Sequence, residues 1–398
     1  MEQKLQMFEH LVSIGFKEIE VALPFANQVE FDFVRHLIET PGLIPDDVLI
    51  QVITPARKEA IQRTVDSLQG AKQAILFIYL PSSDNYRETV LGLSEDEWVA
   101  KGQDMTEFAR SITKEDSSSR TRWVFNFGFE DYANARLEAV VKCAEAVKAA
   151  WKPTKHDKMI FGIAASVESS MVNVFADQVE RFCQQISERE TWRLTIHTHN
   201  DRGGAVAAAE LGSLAGADRV EGCMFGNGER AGNMDLVTYG LNQLTSGLDP
   251  GIDFMRLRET QRLYEEITGL PVHPRTPYSG AYSLKALSGM HQDAITKGLA
   301  RRAVAQQHGV ETEYWPRWRV PYLPFDPIEI GRNMEDVIEI SNQSGKAGVK
   351  WVLESRKGHD LSVQHADTVL KIIKESAVDR QLSSSEVCEI YETYYSSV

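Results

Sequence analysis

No apolar run in the sequence approaches the roughly 18 residues needed to cross a membrane. Its opening, "MEQKLQMFEHLVSIGFKEIEV", lacks the basic start and apolar stretch of a secretory signal. Both absences point to a cytoplasmic chain without a membrane partner. Cysteine is scarce. Cys143, Cys183, Cys223 and Cys388 lie far apart with no C-x-x-C pair, which reads as reduced thiols rather than disulfides or zinc ligands. Positive charge is also in deficit: 43 Lys and Arg face 57 Asp and Glu, a net −14 that excludes a nucleic-acid backbone as the natural partner. There is no clear internal repeat or low-complexity tract. What remains is an ordinary globular composition over 398 residues, enough for a large core or two to three domains.

Strand-like and helix-like runs alternate over the first 245 residues. "FKEIEVAL" ends at Leu23, and a helical pattern follows from Val29 to Ile38. "DDVLIQVI" precedes "PARKEAIQRTVDSL", where Pro55 suits a helix start. "AILFIYL", "RWVFNFG", "MIFGIAA", "RLTIHTH" and "DRVEGCM" continue the series, separated by amphipathic runs such as "ARLEAVVKCAEAVKAAW" and "VNVFADQVERFCQQI". This alternation implies a parallel sheet with helical crossovers, as a (β/α)₈ barrel or a long doubly wound sheet. The count is seven strands, not eight. Residues 3 to 14 read as a helix, because Leu5, Phe8, Leu11 and Val12 recur at helical spacing and Gly15 suits its end. The expected division is a barrel over 1–245, a linker or lid subdomain over 246–332 and a helical C-terminal subdomain over 333–398.

In such folds polar residues at the C-terminal strand ends carry the chemistry. "TIHTHNDRGG" puts His197 and His199 on one face of a strand, followed by Asn200 and Asp201. Alone, the pair fits two hydrogen-bonded histidines in a barrel mouth as well as two metal ligands. Asn233, at a neighbouring strand end, adds an amide oxygen suited to a divalent ion. Other strand ends supply Glu130, Ser166 and Glu168. The loop "FGNGERAGN" supplies Gly226, Asn227, Gly228, Glu229 and Arg230, with backbone N–H groups able to approach an anionic or carbonyl ligand. Glu229 also fits a solvated charge or an Arg230 partner, and Glu130 fits a helix cap.

The full set resembles 2-isopropylmalate synthase, of the metal-dependent Claisen-condensing (β/α)₈ barrels that include homocitrate and citramalate synthases. The resemblance runs through "GFKEIEVALPFANQVEFDFVRHLIE", "IQVITPARKEAIQRT", "HTHNDRGGAVAAAELGSLAGADRVEGCMFGNGERAGNMDLVTYGLN", "SGMHQDAITKG", "VPYLPFDP" and "NQSGKAG". It implies His197, His199 and Asn233 as ligands of zinc, manganese or magnesium. It implies Glu130, Ser166 and Glu229 around a 2-oxo acid and acetyl-CoA, with Asn200, Gly226, Asn227 and Gly228 lining the substrate. His291 and Tyr322 match accessory residues that reach a partner protomer's barrel and assist proton transfer, which implies a homodimer. In the implied reaction a metal polarises the ketone, a base removes a methyl proton of acetyl-CoA, and water cleaves the thioester.

Some expected features differ. The family's first strand ends in an "LRDG"-like motif, whose aspartate is a metal ligand and whose arginine steadies the ketone oxygen. No such motif occurs here, so an N-terminally truncated, divergent barrel with weakened metal binding is expected. "GFEDYA" and "SVESSMVN" stand where the family has "SPESFS"-like and "TVEMSTPN"-like runs. These changes favour a different 2-oxo acid in a specialised pathway. Leucine feedback through a regulatory domain is not expected. Two other readings stay open at this point. One is a repurposed barrel acting as an aldol or retro-aldol lyase, hydrolase, isomerase or cyclase. The other is a non-catalytic dimer partner.

Overall fold

The structure, a computed structural model, describes residues 1–307, 318–341, 343–357, 362–376 and 380–395. It forms two compact units, Met1–Gly240 and Leu241–Val398.

The first unit opens on helix α1 (Glu2–Ser13) and carries seven parallel strands in sequential order: β1 (Glu18–Ala22), β2 (Leu49–Pro55), β3 (Gln73–Pro81), β4 (Arg122–Glu130), β5 (Met159–Ala165), β6 (Trp192–Thr198) and β7 (Arg219–Glu221). Helices α2 (Gln28–Glu39) and α3 (Lys58–Ser67) follow β1 and β2. A single turn α4 (Asp84–Tyr86) runs into a π-helical turn, then α5 (Glu95–Ser111) returns the chain to β4. Helices α6 (Leu137–Trp151), α7 (Val172–Gln185) and α8 (Ala205–Leu214) make the later crossovers. Pro55 does not start a helix. It closes β2, and α3 begins at Lys58 after an extended Arg57, because the strand ladder continues through Pro55 opposite Tyr79. The last strand is also shorter than "DRVEGCM", since the chain turns into a 3₁₀ segment at Met224–Gly226.

Strand β4 shows how sequence sets the two faces of the sheet. Phe125, Phe127 and Phe129 alternate to one side and are fully buried against the helices. Phe125 stacks on Trp151 of α6 with ring centroids 4.2 Å apart, and Phe129 meets Phe182 of α7 edge-on at 6.2 Å. Each such ring contributes about 1.5–3 kcal/mol through burial. The intervening Asn126, Gly128 and Glu130 face the concave side. A side chain at Gly128 would overlap the ring of Phe77, so glycine lets that ring fill the interior beside it.

The sheet curls far enough for its outer strands to touch through their side chains. Arg219 on β7 hydrogen-bonds Glu18 on β1, and Gln51 on β2 reaches Glu221 on β7 at 3.2 Å. The helix α9 (Leu236–Thr245) follows, and the boundary between the two units falls within it.

The second unit is helical: α10 (Leu257–Thr268), α11 (Gly289–Gln307), α12 (Lys346–Lys357), α13 (Val363–Ser376) and α14 (Ser384–Tyr395). Helix α12 packs against α11, α13 and α14. The start of α11 is pinned by Gln292, fully buried, whose Nε2 donates to the carbonyls of Ala286 and Glu339 at 2.9 Å and to Ser344 Oγ at 3.1 Å.

Candidate active site

The two histidines lie where strand alternation places them, on the concave face at the C-terminal end of β6. His199 continues the ladder one step beyond β6, its N–H donating to Ala165 O at 3.2 Å. Asn233, 34 positions later, is brought beside it by an isolated antiparallel bridge. That bridge exists because the chain after β7 folds back. Met234 N donates to Thr198 O at 2.8 Å, Cys223 N to Met234 O at 3.0 Å, and Asn233 N to Gly226 O at 3.1 Å. Two glycines permit the turn. Gly232 has φ +93 and would put a Cβ 2.0 Å from Gly226 O, and Gly228 has φ +143 and would put one 2.7 Å from Asn233 Oδ1.

Three buried polar atoms at this mouth have no hydrogen-bond partner among the described residues: Glu130 Oε2, His199 Nδ1 and Asn233 Oδ1. Buried polar atoms ordinarily find partners, so their clustering at strand ends marks a place shaped for a ligand. The Asn233 amide is anchored by its other end, Nδ2 donating to Cys223 Sγ at 3.4 Å, which leaves Oδ1 as the unpaired atom. The His197 and His199 rings lie 5.1 Å apart. Burial first, then the neighbouring His197 and Arg230, lowers the His199 pKa to about 4, so its ring is neutral at pH 7. Burial opposes charge on His197, but the carboxylate of Glu221, whose Oε2 lies 3.6 Å from Nδ1, outweighs it and raises the pKa. Glu130 is pushed up by burial and by Asp131 and Glu229.

A divalent cation fits these donors in kind. A neutral imidazole, an amide oxygen left bare and a second imidazole whose Nδ1 is turned to a carboxylate are the groups such an ion takes. The set is lean in charge. Among the described residues no group of three or more His, Cys, Asp or Glu side chains converges as a cation site.

Behind the mouth lies a polar layer that sequence reading overlooked. Gln51 Nε2 donates to Glu20 Oε2 at 2.8 Å and to Glu221 Oε1 at 3.2 Å, while its Oε1 accepts from Arg219 at 3.1 Å and Asn126 at 3.3 Å. Arg219 also pairs with Glu18 and Glu221. Burial, reinforced by Glu221, raises the Glu20 pKa. Burial works the same way on Glu221, yet Arg219 and His197 hold its pKa down. The signal was present in "EIEVA" and "RVE", where charged residues sit two apart on otherwise apolar strands.

The remaining expected residues take varied positions. Ser166 Oγ accepts from Asp131 N at 2.8 Å, tying the ends of β4 and β5. Asn200 Oδ1 accepts from Ala205 N at 3.2 Å at the start of α8, and Asn227 Oδ1 accepts from Gly228 N at 3.0 Å, so both side chains are engaged within their own loops. Glu229 is exposed at 86% of its side chain, and Arg230 makes its close ion pair with Asp201 rather than with Glu229, which lies 3.7 Å away. Glu130 ends β4 and caps no helix; Asp131 precedes the 3₁₀ turn that follows. In the second unit, His291 and Tyr322 stack with ring centroids 4.0 Å apart, and Tyr322 holds a left-handed φ of 60.

Parallel strands that curl around a polar interior, with unpaired donors gathered at their C-terminal ends, define an enzyme of the barrel type. The HMGL-like family model matches residues 1–263, and the "Alpha-isopropylmalate synthase, post-catalytic domain-like" model matches 282–354. The chain is 64% identical to the isopropyl malate synthase AMT7 of Alternaria alternata, over 99% of this chain and 69% of that one. It is 52% identical to the isopropyl malate synthase gloH of Glarea lozoyensis, over 99% and 67%. In structure it resembles the HMG-CoA lyase of Bacillus subtilis, with a TM-score of 0.53 at 14% identity over 68% of this chain and 88% of that chain, a likeness of fold. The chain belongs to the isopropylmalate synthase family.

Proposed function

We propose that this chain is a carbon–carbon bond-forming acyltransferase that joins acetyl-CoA to a 2-oxo acid in a specialised pathway. The relatives' names support acyl transfer over lyase, hydrolase, isomerase or cyclase chemistry. The observation that carries the reading is the trio of unpaired atoms on three strand ends: Glu130 Oε2, His199 Nδ1 and Asn233 Oδ1.

In this reading His197, His199 and Asn233 hold a divalent ion, which when bound polarises the ketone of the 2-oxo acid. Glu221 holds the Nδ1 side of His197 and favours a proton there, leaving Nε2 as the donor nitrogen. Glu130, its pKa raised by burial and by Asp131 and Glu229, is the carboxyl placed to hold or release a proton at Oε2. Gly226, Asn227 and Gly228, with Ser166 and Asn200, line the substrate. Glu229 reaches acetyl-CoA from the loop. His291 and Tyr322 assist proton transfer in a partner protomer, so the working form is a homodimer. The location is cytoplasmic, supported by cysteines that lie far apart in the sequence, of which Cys143 is fully buried with its pKa pushed up by burial. No helix among the described residues is long and apolar enough to cross a membrane.

The test is release of free coenzyme A from acetyl-CoA across a panel of 2-oxo acids, with and without zinc, manganese or magnesium. Release that requires both a 2-oxo acid and a divalent ion supports the reading. No release across the panel overturns it.

A further inference from the structure

Three strand-end loops are tied together at the mouth, and a single ion pair closes the knot. Arg230 donates to both carboxylate oxygens of Asp201, Nε to Oδ1 at 2.7 Å and Nη2 to Oδ2 at 3.0 Å, and also to Ser166 O at 2.5 Å. Asp201 Oδ2 in turn accepts from Glu168 N at 3.0 Å. Glu168 returns the favour to the Asp201 loop: its Oε2 accepts from Arg202 N at 2.5 Å and Gly204 N at 3.3 Å. The loop after β5 is thereby locked to the loop after β6, and the loop after β7 is locked to both. A two-point guanidinium–carboxylate contact fixes direction as well as distance, which a lysine in the same place does not.

The position of Arg230 in its own loop gives the pair its leverage. Arg230 has a left-handed φ of 56, a backbone state that a non-glycine side chain holds only when its surroundings compel it. The residue before it is Glu229, and three residues later Asn233 presents its unpaired Oδ1. Backbone bonds from Asn200 N to Gly232 O at 2.9 Å, Gly232 N to Glu229 O at 2.9 Å and Asn233 N to Gly226 O at 3.1 Å hold the far side of this turn. The side-chain hydrogen bonds of Arg230 go to Asp201 and the Ser166 carbonyl, and none goes to an unpaired atom of the mouth.

We propose that Asp201 and Arg230 form a latch that positions the 226–233 loop, so that Glu229 and Asn233 stay in register with His199. This rests on the acyltransferase reading for its kinetic consequence, but not for its structural one. Arg230 and Asp201 are positioning residues. Opening the latch frees the turn to leave its left-handed state while β7, its inward charges and the sheet remain in place. Misplacement of a reacting group by about 1 Å costs on the order of 10²-fold in rate without an equal loss of substrate affinity.

The experiment uses the full chain and the variants Arg230→Met, Arg230→Lys, Asp201→Asn and the double variant Arg230→Met/Asp201→Asn. Backbone amide exchange is followed in peptides covering 224–235 and 166–170, with peptides from β4 and α6 as internal references. In Arg230→Met the first two peptides should exchange about tenfold faster, the references should be unchanged, and the thermal midpoint should stay near that of the parent. Arg230→Lys, which keeps charge but loses the two-point contact, should fall between. The double variant should exchange no faster than the worse single one, because both break one contact. In turnover, kcat for coenzyme A release should fall by about 10²-fold in Arg230→Met, with KM for acetyl-CoA changed less than about threefold. Unchanged exchange at 224–235 overturns the latch. So does acceleration that is equal in the reference peptides, which would make the pair a general structural tie. If the parent chain releases no coenzyme A from any 2-oxo acid, the acyltransferase reading fails, and the exchange data still decide whether the latch exists.

Discussion

Two layers of polar residues line the same curled sheet, and they are built on opposite terms. In the deeper layer Glu18, Glu20, Gln51, Arg219 and Glu221 satisfy one another, with one glutamine serving both carboxylates and the arginine. At the mouth, Glu130 Oε2, His199 Nδ1 and Asn233 Oδ1 find no hydrogen-bond partner among the described residues. His197 stands between, its Nδ1 turned inward to Glu221. The deeper layer is therefore bound up with stability, and the mouth with whatever it binds. A group that already has its partners is costly to remove, whereas a group held without partners is cheap to remove for the fold and dear to remove for chemistry.

The sharpest way to break that contrast is Arg219→Met. It leaves the half-buried Glu18 and Glu221 without their cation and should cost about 2–3 kcal/mol of unfolding free energy in urea titration. If stability is unchanged, the deep layer is not the support described. Next in size is Gln51→Leu, which removes one hydrogen bond each from Glu20, Glu221, Arg219 and Asn126 while the Arg219 ion pairs stay, and should cost about 1–2 kcal/mol by the same titration. A smaller, pH-dependent effect is expected from Glu130→Gln. Because burial and its acidic neighbours raise its native pKa, the acid contributes fully below the unfolded value of about 4.3. That contribution is lost as pH rises through the raised native value. Stability of Glu130→Gln relative to the parent should therefore increase between pH 4 and pH 7. A flat difference across that range would remove the desolvation argument. The smallest change in stability belongs to His199→Ala and Asn233→Ala, about 1 kcal/mol or less in either case. These same variants should lose bound metal by elemental analysis and at least about 10²-fold in turnover. A large loss of stability there would mean that the mouth is structural after all.

Much of this was legible from periodicity and composition. Seven strands, the helical crossovers and the accessory helices follow from apolar runs that switch from period two to period 3.6. The pairing of His197 with His199 follows from alternation alone. What escaped was local or distant. Pro55 carries a helix-start signal, yet sheet pairing with Tyr79 keeps it in β2, where its missing N–H is tolerated at the strand end. The interior charges escaped because apolar neighbours masked them. A glutamate in "EIEVA" looks like a solvent-facing residue until the curl of the sheet brings Arg219 across to it. The Asp201–Arg230 contact spans 29 positions between two loops, and no spacing rule joins them.

The inward charges on the outer strands have a colloidal consequence. An outer strand of a sheet is a template on which another copy's strand is able to pair and seed aggregates. Here β1 and β7 are the outer strands, and their concave faces carry Glu18, Glu20, Arg219 and Glu221. A foreign strand docking along either one brings its own side chains against that charged layer, where apolar residues find no match. The same residues that hold the interior together thus make its margins a poor seed for sheet growth, which favours solubility at high concentration.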